Sequence, residues 1–151
     1  MREELEKELR RIAPQFLAEM DLNEMQSCMA RGIECYDGWF EPLKRFCENV
    51  EALNKESPDK VIVAKQIKTK FGDIRVYWGI EDKNKPLLER EPVQDDSLEH
   101  IMNEEVINLE NECRNTCEIC GSKGVKKEYY TYICKKCKEK ERRNGKTEVS
   151  T

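Results

Sequence analysis

The sequence predicts an α+β fold in which helices pack on a β-hairpin and a small cysteine-rich lobe closes the chain. Three observations predict it. Apolar residues recur at helical spacing over 38–54 and 97–115. Between them the stretch VIVAKQIKTKFGDIRVYWGI at 61–80 is rich in β-branched and aromatic residues around a short polar break. Near the end, four of the eight cysteines stand in two CxxC pairs, Cys117/Cys120 and Cys134/Cys137.

Each element has its own signals. Residues 2–12 place Leu5, Leu9 and Ile12 on one side of a charged helix that Pro14 interrupts. Short helical turns are expected at 15–20 and 23–31, the second closed by Gly32. The main helix follows Tyr36, with Asp37 as its N-cap and Phe40, Leu43, Phe46, Cys47, Val50 and Leu53 recurring along its buried side. Ser57-Pro58-Asp59 turns the chain into strands expected at 61–68 and 73–80, joined over 70–73. Alternation puts Val61, Val63 and Ile67 on the apolar face with Ile74, Val76 and Trp78. Gln66, Lys68, Arg75 and Tyr77 are left on the opposite face. A charged linker containing Pro86 and Pro92 leads to the helix at 97–115, capped by Asp96 with Glu99 three residues on. Its inward residues are Leu98, Met102, Val106, Leu109 and Cys113. The chain thus divides into a core domain at 1–96, a helix with the cysteine lobe at 97–143, and a tail at 144–151 expected to be disordered.

Hydrophobic and charged residues each make up 38% of the chain, so the core must be modest and a small terminal lobe needs a staple. No run approaches the roughly 18 apolar residues that cross a bilayer. The first residues, MREELEKELRRIAPQF, hold no apolar stretch of signal-peptide length. The expectation is a cytoplasmic protein without a membrane partner, where disulfides do not persist. The paired cysteines therefore read as metal ligands, and Cys28, Cys35, Cys47 and Cys113 as mostly buried thiols. A CxxC turn sets two thiolates on one ion, and Gly121 after the second cysteine permits a left-handed backbone. Cys117, Cys120, Cys134 and Cys137 would together close a tetrahedral shell around one structural zinc ion, with no position open to substrate. Between the pairs, 125–133 is expected to form a small hairpin with Tyr130 and Tyr132 covering one side.

The formal charge of −4 hides an asymmetry. Residues 113–151 carry 11 Lys/Arg against 5 Asp/Glu, and residues 1–112 carry 16 against 26. Any nucleic-acid affinity is therefore expected at the basic end, on Lys123, Lys126, Lys127, Lys135, Lys136, Lys138, Arg142 and Arg143. A second candidate surface is the polar hairpin face, where Gln66, Lys68, Arg75 and Tyr77, with Lys70 at the turn, suit a phosphate or carboxylate. A third is Glu34, Asp37 and Trp39, whose acidic groups suit a partner's cation, although capping by Asp37 and packing by Trp39 are the plainer roles. His100 is the only histidine and falls on the polar side of its helix. No Cys/His nucleophile pair, Walker loop, GxGxxG or HExxH motif is present, which makes an enzyme the poorer expectation.

Three segments in order carry a resemblance. They are Ile33-Glu34-Cys35-Tyr36-Asp37-Gly38-Trp39-Phe40, then Gln66-Ile67-Lys68-Thr69-Lys70-Phe71-Gly72-Asp73-Ile74-Arg75-Val76-Tyr77, then Cys117-Glu118-Ile119-Cys120-Gly121. Together they resemble a family of small, largely uncharacterised proteins of tailed phages and prophages. That family has an IECGDGWF-like segment, a QVKEKFGGLRFY-like segment and C-terminal paired cysteines. Tyr36 and Asp73 stand where the family has glycine. The resemblance implies a phage protein in the cytoplasm of a bacterial host; it brings no known activity. The expected function is a non-enzymatic zinc-binding protein that recognises an anionic small molecule or a host protein, with counter-defence as a candidate role. The alternatives are a nucleic-acid-binding regulator using the basic lobe, and an enzyme on a phosphorylated substrate with Asp37 or Glu34 as acid or base.

Overall fold

The computed structural model describes the backbone of residues 1–149 and the side chains of residues 1–144. Its elements in order are α1 (Glu3–Ile12), α2 (Phe40–Glu56), β1 (Lys60–Lys70), β2 (Asp73–Asp82), α3 (Asp96–Cys113) and α4 (Lys135–Val149). This is an α+β arrangement of four helices and one antiparallel hairpin. Short 3-10 turns at Ala18–Asp21 and Cys28–Arg31 stand where helical turns were expected. Gly32, at φ 78°, ends the second of them. The expected disordered tail falls partly on residues outside the described set; the backbone is helical to Val149. Among the described residues no helix is long and apolar enough to cross a membrane.

Two caps differ from expectation. Asp37 does not cap α2. Its carboxylate accepts from the Arg2 backbone N–H at 2.8 Å and pairs with the Arg2 guanidinium at 2.7 Å, so it serves the start of α1. The helix α2 begins three residues later, with Pro42 in its first turn, where a missing N–H costs nothing. At α3 the capping oxygen belongs to Asp95, which accepts from the Leu98 N–H, and not to Asp96.

The hairpin pairs Lys70 with Asp73, Lys68 with Arg75, Ile67 with Val76 and Gln66 with Tyr77, but Ala64 with Trp78, so Lys65 is an extra residue on β1. A bulge of this kind reverses the alternation. Before it Ile62 and Ala64 face the main core; after it Ile67 does. Val61 and Val63 consequently share the face of Gln66 and Lys68 instead of the face of Ile67, although both are buried there. The bulge frees Lys65 to meet two buried carboxylates, Glu19 and, at 2.6 Å, Glu81.

The outer edge of β1 is covered piece by piece. The Asn54 side-chain amide donates to the Ile62 carbonyl at 3.0 Å and accepts from its N–H at 2.7 Å. The Ala64 N–H donates to the Phe16 carbonyl, and Glu34 brackets Ile67 and Thr69 with two backbone bonds of 2.9 and 3.0 Å. These contacts cover the outer edge of β1, where an open edge would invite pairing with another chain. Above the sheet, Phe16 meets Phe46 edge to face at 5.6 Å. Trp39, Leu43 and Val50, Ile67 and Ile74, and Met102, Leu109 and Cys113 join them in one apolar cluster. Tyr132, from the cysteine-rich segment, belongs to the same cluster.

Candidate metal centre and the surface beside it

The first cysteine pair lies in a tight turn just beyond α3. The Gly121 N–H donates to the Cys117 carbonyl at 2.9 Å, with Gly121 at φ +80°. The second pair sits at a helix start: Cys134 precedes α4, its carbonyl accepting from the Lys138 N–H, and Cys137 lies in the first turn. A knuckle followed by a helix that carries the second pair is the treble-clef arrangement, not two opposed ribbon knuckles. All four sulfurs lie within 4.8 Å of one another, and those of Cys120 and Cys134 are 3.7 Å apart. A tetrahedral ion with metal–sulfur bonds of about 2.3 Å separates its sulfurs by about 3.8 Å, so the group can hold one metal ion. The Cys134 N–H donates to the Cys117 sulfur at 3.3 Å and ties the two pairs together.

The knuckle is docked on the segment Cys35–Phe40. The Trp39 indole N–H donates to the Thr116 carbonyl at 3.0 Å, and the Gly38 N–H to the Glu118 carbonyl at 2.7 Å. A Cβ on Gly38 would overlap the Cys117 carbonyl oxygen, so only glycine allows this approach. Glu118, between the first two ligands, accepts from the Tyr36 N–H at 3.2 Å and from the Thr69 hydroxyl at 3.0 Å. Burial raises its pKa, and these two donors act against that rise. The hairpin turn approaches from the other side. A Cβ on Gly72, at φ +82°, would overlap the Tyr130 carbonyl, and Asp73 holds Arg114 at 3.1 Å and Lys127 at 3.2 Å. Residues 33–40, 66–77 and 117–121 thus converge at Glu118.

The structure places the candidate ligand residues in two groups. Trp39 is fully buried under the knuckle, Asp37 is engaged by Arg2, and Glu34 lies at the edge of β1. None of these three joins the hairpin face. Gln66, Lys68, Lys70, Arg75 and Tyr77 do share one face, as the register requires. The Lys68 ammonium lies 5.9 Å from the Tyr77 ring centroid, and that of Lys70 lies 5.9 Å from the Phe71 ring. Among the described residues no carboxylate forms an ion pair with Lys68, Lys70 or Arg75. An open hollow of about 470 Å³ is lined by Lys70, Arg75 and Tyr77 together with Glu110 of α3, which pairs with Arg114.

Sequence reasoning missed the aromatic tips. Tyr130 was expected to cover the small hairpin beside Tyr132. Tyr132 is buried, but Tyr130 is 70% exposed and Tyr129 89% exposed. They occupy the two central positions of a turn closed by reciprocal bonds between Glu128 and Thr131, at φ 50° and 61°. Phe71, at φ 52° and 67% exposed, leads the β1–β2 turn, with its ring centroid 6.3 Å from that of Tyr130. Two-residue turns with both φ values positive are usually signalled by Asn-Gly, and Tyr-Tyr gives no such signal. No family model, curated protein or solved structure matches the chain.

Proposed function

We propose that this chain is a non-enzymatic binding protein, stapled by one zinc ion, that holds an anionic ligand or partner on its hairpin face. Zinc is the metal that four thiolates in a closed tetrahedral set suit best, and a closed set serves structure. One observation carries the binding role: Lys68, Lys70 and Arg75 gather on one face with no carboxylate partner among the described residues. Several other cations are paired, Lys60 with Asp95, Lys65 with Glu19 and Glu81, and Arg114 and Lys127 with Asp73. The basic C-terminal end is the alternative surface, with some of its cations already engaged. Lys123 donates to the Thr116 hydroxyl, Lys127 is held by Asp73 and Lys138 by Glu128. The resemblance to phage and prophage proteins supports a setting inside a bacterial host, where binding a host anion or protein would serve counter-defence.

The test pairs metal analysis with binding of inorganic polyphosphate. About one zinc per chain is expected, lost when Cys117 becomes Ser. Lys68→Ala and Arg75→Ala should each weaken polyphosphate binding by roughly ten- to a hundredfold, from a charged hydrogen bond of about 1.5–3 kcal/mol. Stability should change by less than about 0.5 kcal/mol. Polyphosphate binding that survives both substitutions at full strength would remove the hairpin face as the site.

A further inference from the structure

We infer that the ligand is a single-stranded nucleic acid, laid across the hairpin face and the neighbouring Tyr129–Tyr130 turn. This rests on the anion-binding reading of the hairpin face and names the class of anion. The chemistry needed is a row of cations for phosphates with exposed rings between them for bases. Tyr77 stands beside Lys68, Lys70 beside Phe71, and Phe71 beside Tyr130. Lys127 in turn lies 5.8 Å from the Tyr130 ring. Lys68 and Lys70 are thus flanked by the rings of Tyr77 and Phe71, and Phe71 leads to Tyr130 at the metal lobe, beside Lys127, which Asp73 also holds. The acidic balance of residues 1–112 does not forbid this: charges more than about 10 Å away are largely screened at ordinary salt, and two nearby carboxylates are paired, Asp73 with Arg114 and Lys127 and Glu110 with Arg114.

Backbone conformation supports the same assignment independently. Phe71, Tyr129 and Tyr130 all have positive φ. That region disfavours side chains with a Cβ and suits Gly, Asn or Asp. Folding alone would place small polar residues at both turn tips. Large rings held there in strained backbone, turned to water and 6.3 Å apart in the case of Phe71 and Tyr130, serve contact with something else. Flat rings with a cation nearby favour bases over an acidic peptide, whose carboxylates need the cations but not the rings.

The experiment measures binding of a fluorescein-labelled oligothymidylate of about 12 nucleotides, beside polyphosphate, the matching duplex and poly-glutamate. Phe71→Ala and Tyr130→Ala should each weaken oligothymidylate binding by about 5- to 100-fold and leave polyphosphate binding unchanged. Arg75→Ala should weaken both. Tyr130→Asn should lose oligonucleotide binding while its melting temperature stays level or rises, which separates recognition from folding. Ring substitutions without effect, or duplex or poly-glutamate bound as tightly as the single strand, would overturn the inference and leave the anion-binding reading intact. Failure to bind either polyphosphate or oligothymidylate would sink both.

Discussion

At Cys47 the thiol is enclosed by core side chains, with Glu51 and Glu48 close by. Burial first, and those two charges after it, push its pKa from 9.0 up to about 12. Cys35 is pushed to about 12 as well, chiefly by burial and then by Glu118. The folded value lies above the unfolded one. The contribution to stability is therefore complete below pH 9 and is lost as pH rises toward the folded value. Between about pH 8 and about pH 10, wild type should lose roughly 1 kcal/mol more than Cys47→Ala, read by urea unfolding at both pH values. Equal slopes would show that Cys47 ionises in the folded state as easily as in the unfolded one. All four cysteines outside the pairs were expected to be mostly buried, and only Cys28 is exposed; Cys47 and Cys113 were legible as core thiols from their helical spacing, whereas Cys35 lies before the helix. The role of Asp37 was not legible in the same way. An aspartate before a helical pattern signals a cap, and nothing local reveals that Arg2, 35 residues away, takes its carboxylate.

The helices and the hairpin were readable because their apolar periods, 3.6 and 2, persist over many residues, and the structure sets α2, α3, β1 and β2 close to the expected ranges. The bulge was not readable. It goes with the contacts of Lys65 to Glu19 and Glu81, and Glu19 is remote in sequence, so alternation carried across it put Val61 and Val63 on the wrong face. The four cysteines declared themselves by spacing alone, whereas the docking of the knuckle depends on glycines whose neighbours lie far along the chain. Gly38 and Gly72 meet backbone carbonyls of the cysteine-rich segment, which cannot yield as a flexible side chain can. Gly38→Ala and Gly72→Ala should each destabilise the protein by about 2–3 kcal/mol, at the upper end of overpacking costs, with added strain at Gly72 from its positive φ. By contrast Gly124→Ala meets no atom within 4 Å and bears only the strain of its φ of +78°, so it should cost less than either. Chemical denaturation of the three variants ranks them; a Gly38→Ala protein as stable as wild type would mean the knuckle is not seated on that glycine.

At the scale of the whole molecule the question is whether the metal segment melts alone. A lobe tied on by a linker would lose its fold on chelation and leave the helices and hairpin intact. The packing argues for coupling. Leu109 and Cys113 of α3, together with Tyr132, share one apolar cluster with Phe16, Trp39 and Ile67. The Trp39 indole is satisfied by the Thr116 carbonyl, one residue before the first ligand, and Glu118 is satisfied by Tyr36 and Thr69. Releasing the metal would leave a buried indole N–H unpaired and a buried carboxylate without its donors, each costing about 1–3 kcal/mol or more. Structural zinc supplies about 10–16 kcal/mol of folding free energy in zinc-finger peptides. Removing that from a marginally stable chain should affect every element that leans on the knuckle. Chelation should therefore lower the melting temperature of helix and core signals together, in one transition whose midpoint rises with free zinc. Far-ultraviolet circular dichroism reports the helices, and Trp39 fluorescence in a Trp78→Phe variant reports the contact with the knuckle. Chelation that shifts the Trp39 signal while amide exchange in α2 and the hairpin stays slow would show the metal segment to be an independent unit.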